Sequence, residues 1–210
     1  MIYQKRDGEI LRWVNGFGCV TAGQMIDWMG VSKATGYVRV KKLVDGGYLE
    51  RRRVLHKEAR VHWLTKQAEQ VIGDDLIRLR HVNLGTYFHD LMLVDLSLFL
   101  EKTTGFQFVP ERRLRIEKAG SIIGRNGRLP DGILITKDKP IAIELELTVK
   151  GKRRLSRILN DYAMNFEFDE VWYFTNNPYV FNAITKLLPE HSNIKLKFFN
   201  QRQELSHGKI

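Results

Sequence analysis

Cysteine is nearly absent from this 210-residue chain, with Cys19 alone. A lone cysteine excludes an internal disulfide and any cysteine-based zinc site. Long apolar runs are missing too. The richest stretch, "LMLVDLSLFL", is interrupted by Asp95 and falls short of the roughly 18 apolar residues that a membrane span needs. The start, "MIYQKRDGEILRW", lacks the apolar core of a signal peptide, so a cytoplasmic protein with no membrane partner is expected. No Pro- or Ser-rich linker, repeat or low-complexity segment divides the chain. Acid is in deficit: 34 Lys and Arg face 24 Asp and Glu, for a net charge of +10. That imbalance favours a polyanionic partner, nucleic acid being the commonest, over a merely scattered basic surface. With 43% hydrophobic and 28% charged residues the chain is globular, with length for one large domain or two small ones.

What is present begins with a helical rhythm. "DGEILRWVNGFGCV" spaces Ile10, Leu11 and Val14 for a helix that stops at Gly16 and Gly18. "TAGQMIDWMG" opens with the Thr21/Gln24 capping-box pattern and closes at Gly30. A tight turn leads into "SKATGYVRVKKLVDGGYL", where Val38, Leu43 and Val44 are expected to face a core. Two β-rich runs around "HKEA" then form a basic hairpin within "YLERRRVLHKEARVHWLT". The order resembles a winged helix-turn-helix domain, with "LVDGGYLERR" as the recognition helix turning into the wing. The resemblance implies that Ser32, Lys33, Thr35, Tyr37 and Arg39 approach bases of double-stranded DNA. It assigns Lys41, Lys42, Arg51, Arg52, Arg53, Lys57 and Arg60 to the phosphate backbone. The alternative is a winged helix used for protein contacts. A homodimer reading a two-fold site is compatible with this class, although no coiled-coil heptad is visible.

Residues 65 to 104 read as helix with one break, the apolar part from Thr86 to Lys102 lying inside a domain. His81 and His89 are eight apart, not the i, i+4 spacing of helical metal ligands, which favours structural roles. The expected domains are 1–73 and 74–210.

From residue 106 the period changes to two. "FQFVPERRLRI", "GILITK" and "PIAIELELTV" read as strands, "KRRLSRILNDYAMNF" as a helix, "DEVWYFT" as a strand, "PYVFNAITKLLPE" as a helix and "IKLKFF" as a last strand. The fold class expected is therefore α/β (α+β), a helical N-terminal domain followed by a mixed α/β sheet. Within it, Asp131, Glu144 and Glu146 sit among aliphatic residues, so a metal ion, an arginine or solvent must answer their charge. Alternation puts Glu144, Glu146 and Thr148 on one strand face, with Ile143, Leu145, Leu147 and Val149 on the other. Same-face residues are about 7 Å apart, close enough for these acids and an aspartate from the next strand to converge on Mg²⁺.

"PDG", a hairpin, "IELEL" and a basic helix containing Tyr162 resemble the core of PD-(D/E)XK (restriction-endonuclease-like) nucleases. The resemblance implies Mg²⁺ or Mn²⁺ held by Asp131 and Glu144. The family's lysine position holds Glu146, a departure that some members share, and Lys150 or Lys152 can supply the cation instead. Over most of the chain, the winged helix, the Glu111–Arg112 pair, "PDG", "IELELT" and the tyrosine-bearing helix are similar to the replication-relaxation family and to MobC-type relaxases of plasmid mobilisation. This implies a sequence-specific, metal-dependent nickase with Asp131, Glu144, Glu146 and Lys150 as catalytic residues and Asp131, Glu144 and Glu146 as metal ligands. Tyr162 is a candidate nucleophile, although a helix tyrosine is more often a packing residue. The rival reading is a non-catalytic DNA-binding regulator whose nuclease-like domain serves dimerisation or protein contact, its acids paired with Arg112, Arg153 or Arg154.

Overall fold

In a computed structural model that describes residues 4–117, 129–188 and 192–200, the chain begins with helix α1 (Lys5–Phe17). A Gln4/Asp7 capping box starts it and Gly18 ends it. Ile10, Leu11 and Val14 are buried, as their spacing requires. A short strand, β1 (Val20–Thr21), leads into α2 (Ala22–Met29). The expected capping box forms there: Gln24 N–H donates to Thr21 Oγ1 at 3.2 Å, and Thr21 N–H donates to Gln24 Oε1 at 2.9 Å. Left-handed Gly30 (φ 62°) closes α2. Ser32 then caps α3 (Lys33–Asp45).

The α2–α3 crossing depends on Gly36. A Cβ at that position would lie 2.4 Å from Ile26 Cγ1, closer than a Cβ comes to a non-bonded neighbour. The buried stripe of α3 is consequently Gly36, Val40 and Leu43. The expectation that Val38 faces the core is corrected: it is 55% exposed. Val44 is half-buried.

Strands β2 (Leu49–Arg52) and β3 (Val61–Leu64) pair antiparallel, with Leu49 opposite Leu64 and Arg51 opposite His62. This is the hairpin that the sequence suggests. β1 pairs with the other edge of β3, giving the order β1-β3-β2. Helix α4 (Lys66–Ile72) follows, capped by Thr65, and α5 (Tyr87–Thr104) is the expected interior helix.

Two compact units divide at Leu98/Phe99, inside α5, rather than at residue 73. The first part of α5 belongs to the N-terminal core: Val94 packs into it, and the Gln24 side-chain amide donates to Leu91 O and Asp95 Oδ1. Burying those residues there outweighs the break in helical pattern that suggests an earlier joint.

The second unit is a five-stranded sheet in the order β4-β5-β6-β7-β8, with strands β4 (Gln107–Pro110), β5 (Gly132–Ile135), β6 (Ile141–Leu145), β7 (Val171–Thr175) and β8 (Ile194–Phe198). The β4–β5 and β5–β6 pairs are antiparallel, and the β6–β7 and β7–β8 pairs parallel. Helices α6 (Glu111–Glu117), α7 (Lys152–Ala163) and α8 (Pro178–Thr185) complete it. Ile133, Ala142 and Val171 of the sheet pack against Leu159 of α7 and Ile184 of α8. The molecule is thus of mixed α+β class, as expected.

Two strands are shorter than their alternation suggests. "ERRLRIE" is helical, because the β4–β5 ladder closes where Glu111 N–H donates to Asp131 O at 2.9 Å. The Glu111–Arg115 pair at 2.6 Å then supports the first turn of α6. Strand β6 stops at Leu145, so Val149 is exposed and not core. Among the described residues no helix is long and apolar enough to cross a membrane.

The crossing at Gly36 has a measurable consequence. Gly36→Ala should raise helix propensity by about 1 kcal/mol yet lose roughly 1–3 kcal/mol to overpacking against the stiff, buried Ile26. A net fall in urea-denaturation midpoint is expected.

Candidate nucleic-acid surface and acidic site

Because α3 buries Gly36, Val40 and Leu43, its other positions face outward. Ser32, Lys33, Thr35, Lys41 and Lys42 are exposed, and so is Tyr37 at 54%. Ala34 and Val38 share that exposure. Sequence reasoning passes them over, although small apolar groups are what a thymine methyl accepts. In the hairpin Arg51, Arg52, Arg53, Lys57 and Arg60 are all exposed. Lys57 adopts φ 71° in the tip loop, the only non-glycine positive φ among the described residues. Lys41 pairs with Asp45 at 2.9 Å and Arg52 with Glu50 at 3.3 Å. Both pairs are solvent-exposed, so phosphate can displace the acids at small cost.

Arg39, expected among the base contacts, differs from its neighbours in having partners within the protein. Its guanidinium pairs with the fully buried Asp7 carboxylate and donates to Gln4 Oε1 at 3.2 Å. Asp7 also accepts from Gln4 N–H at 2.9 Å. Arg39 therefore ties α3 to the start of α1. No spacing rule reveals this, since the two residues stand far apart in the chain.

In the second unit, the start of β5 and the end of β6 lie side by side because those strands are antiparallel. The site occupies that edge, at the C-terminal end of a strand that also has a parallel neighbour, where open sheets commonly bind ligands. Asp131 Oδ2 accepts from Leu145 N–H at 2.8 Å, bringing its carboxylate onto β6. Asp131 stands one step beyond the Gly132–Ile143 pair, the register of Glu144. Gly132 is needed beside it, since a Cβ there would enter the Phe108 ring at 2.2 Å.

Glu144 and Glu146 are both buried, at 3% and 5% exposure. Glu144 accepts a hydrogen bond from the Tyr162 hydroxyl. Glu146 forms an ion pair with Lys150 and accepts from Thr148 N–H at 3.4 Å and Thr148 Oγ1 at 3.3 Å. Lys150 does not arrive by extension of the strand. It arrives by a turn after Leu145, the Glu146 N–H still donating to Phe174 O at 2.9 Å. An ammonium thus meets the Glu146 carboxylate from four residues further along the chain.

Other candidates are less central. Tyr162 is 4% exposed and packs against Phe168 and Tyr173, the arrangement of a core residue rather than an accessible nucleophile. Lys152 is exposed at the start of α7, beside exposed Arg153 and Arg154. Glu111 pairs with Arg115, and Arg112 is half-buried in the same turn. His89 lies on α5 and faces Asp90 at 3.4 Å, whereas His81 precedes that helix. Among the described residues no group of three or more His, Cys, Asp or Glu side chains is arranged around a common metal position. Glu146 is therefore not gathered with Asp131 and Glu144 into one three-ligand cluster.

Compared with known proteins, the chain matches no family model, no curated protein and no solved structure.

The buried charges can be tested in two ways. Arg39→Ala should strip Asp7 of its counter-charge and cost about 3–5 kcal/mol in urea unfolding, the usual penalty for a stranded buried ion. Tyr37→Ala should change stability by less than about 0.5 kcal/mol. His62, in β3, is a pH-sensitive group. Burial, together with Arg51 and Arg60 and opposed by a hydrogen bond to the Val20 carbonyl, lowers its pKa from 6.5 to about 4. The unfolded chain binds the extra proton first, so stability present above pH 6.5 should fall as pH drops towards about 4. His62→Gln should flatten that slope.

Proposed function

We propose that this chain is a sequence-specific DNA-binding protein in which a winged helix-turn-helix is followed by a restriction-endonuclease-like domain that nicks DNA with Mg²⁺ or Mn²⁺. The carrying observation is the exposure of every lysine and arginine of the hairpin arm together with the polar residues on the outer face of α3. α3 offers Ser32, Lys33, Thr35 and Tyr37 to base edges. The hairpin offers Arg51, Arg52, Arg53, Lys57 and Arg60 to phosphates, which confer affinity without sequence information. Lys41 and Lys42 join the phosphate contacts. The order of motifs supports membership of the replication-relaxation family or kinship with MobC-type relaxases, and a two-fold DNA site read by a homodimer agrees with this class.

For cleavage, Asp131 and Glu144 are the residues that would hold the ion. Their chemistry fits, since Mg²⁺ commonly takes only one or two protein carboxylates and fills its shell with water and phosphate oxygens. When bound, such an ion supplies charge neutralisation at the phosphate and acidifies water. Lys150, oriented by Glu146, adds a positive charge where negative charge develops on the phosphate. Asp131 is itself oriented by the Leu145 N–H. Tyr162 orients Glu144 from the core side.

The second reading is a non-catalytic regulator. It is favoured by the protein partners that Glu144 and Glu146 already have, Tyr162 and Lys150. One set of assays separates the two. Duplex affinity should fall steeply with salt, and Arg52→Ala with Arg53→Ala should weaken all sequences alike, lowering the salt slope by about 0.9 for each phosphate no longer neutralised. Supercoiled plasmid carrying the cognate site should be nicked in Mg²⁺ or Mn²⁺, with Asp131→Ala inactive. Lys150→Ala should cut at least roughly tenfold slower with duplex affinity retained. Binding without cutting under either ion would establish the regulator reading.

A further inference from the structure

His62 is buried to 2% exposure in the middle strand of the N-terminal sheet. Its Nδ1 is sealed from solvent and has no hydrogen-bond partner among the described residues. The Val20 backbone carbonyl acts on the ring and favours its protonated form, against the effect of burial. A buried polar atom without a partner costs free energy, and natural folds rarely retain one without use. The ring as a whole is nevertheless not in an apolar setting. His62 contributes to a groove of about 580 Å³ between α3, the hairpin and the first turn of α2. Arg51 and Arg60 border that groove from the hairpin, Lys41 and Tyr37 border it from α3, and no acidic residue lines it. Gly23 lies at its α2 end, in a first turn whose backbone N–H groups have no carbonyl partner within the helix. The lining is therefore rich in donors and cations.

We propose that this groove is a built site for one phosphate group, with the His62 imidazole as a direct ligand between Arg51 and Arg60. The proposal deepens the duplex-binding reading and rests on it for the source of the phosphate, a backbone phosphodiester. Arg51 and Arg60 supply charge-assisted hydrogen bonds. His62 adds a third donor when its ring takes a proton. Every titratable side chain facing the ring into the groove, namely Tyr37 and Lys41 of α3, Arg51 of β2 and Arg60 at the foot of β3, is neutral or positive at neutral pH. An anion is what the site lacks. Without one, burial and the two arginines hold the ring neutral, with a pKa of about 4. With one, the arginine charges are offset and the ring becomes basic. Binding then takes up a proton, so affinity must rise as pH falls.

The test uses the full chain and a short fluorescein-labelled duplex. The His62 pKa is read from ring NMR shifts with and without DNA, which needs no variant. It should rise from about 4 to near or above its ordinary value; an unchanged pKa in the bound state overturns the proposal. Duplex affinity of the wild type should tighten by up to about tenfold per pH unit below the raised pKa. His62→Gln should remove that dependence, and equal pH profiles for wild type and variant would also overturn it. Inorganic phosphate distinguishes the sources: a raised His62 pKa in phosphate without any duplex binding keeps the anion site and sinks the duplex reading. Duplex binding with neither phosphate nor DNA moving His62 keeps the duplex reading and sinks the site.

Discussion

A carboxylate removed from water must be answered by a donor or a cation, and this constraint organises both units of the chain. Asp7 is answered by Arg39 and by the Gln4 N–H, which joins α3 to the beginning of α1. Asp95 is answered by the Gln24 amide at 2.9 Å, which carries part of α5 into the N-terminal core. In the C-terminal unit the Leu145 N–H answers Asp131, Tyr162 answers Glu144 and Lys150 answers Glu146. Apart from the local Gln4–Asp7 and Glu146–Lys150 contacts, each of these joins two segments, so the acids also specify which elements meet.

The same constraint sorts the basic residues into two populations. Arg39 is used internally, whereas Lys33, Lys42, Arg53, Lys57 and Arg60 remain in solvent. The sorting follows from the close approach of α2 and α3 at Gly36, which rotates α3 so that Arg39 lies near the protein and Val38 does not. The result is a surface of mostly unneutralised cations on α3 and the hairpin, while the buried pair ties α3 to α1.

In the acidic site, the decisive feature is the end of β6. Had the strand continued, Thr148 and Lys150 would extend away from Glu146 along the line of the central strand. Because it stops at Leu145, Thr148 and Lys150 turn back onto Glu146 and close the acid off with protein groups. Asp131 and Glu144 are then left side by side at the end of β6, Asp131 held by the Leu145 N–H and Glu144 by the Tyr162 hydroxyl.

Local chemistry was legible in the sequence. The Thr21/Gln24 capping box, the glycine ends of α1 and α2, the hairpin and the alternation that buries Ile143 and Leu145 all depend on residues a few positions apart, and each formed as its spacing requires. So did the adjacency of Asp131 to the strand bearing Glu144, because a hairpin with a short loop leaves its strands little choice. What only the tertiary structure decided depends on distant partners. The rotation of α3 came from Ile26, the engagement of Arg39 from Asp7 and the burial of His62 from packing across two strands and a helix. The helical form of residues 111–117 came from the end of the β4–β5 ladder at Asp131, and the unit boundary within α5 from a core that periodicity alone does not assign. Spacing along a chain records which face a residue takes, whereas burial and charge pairing depend on what that face meets.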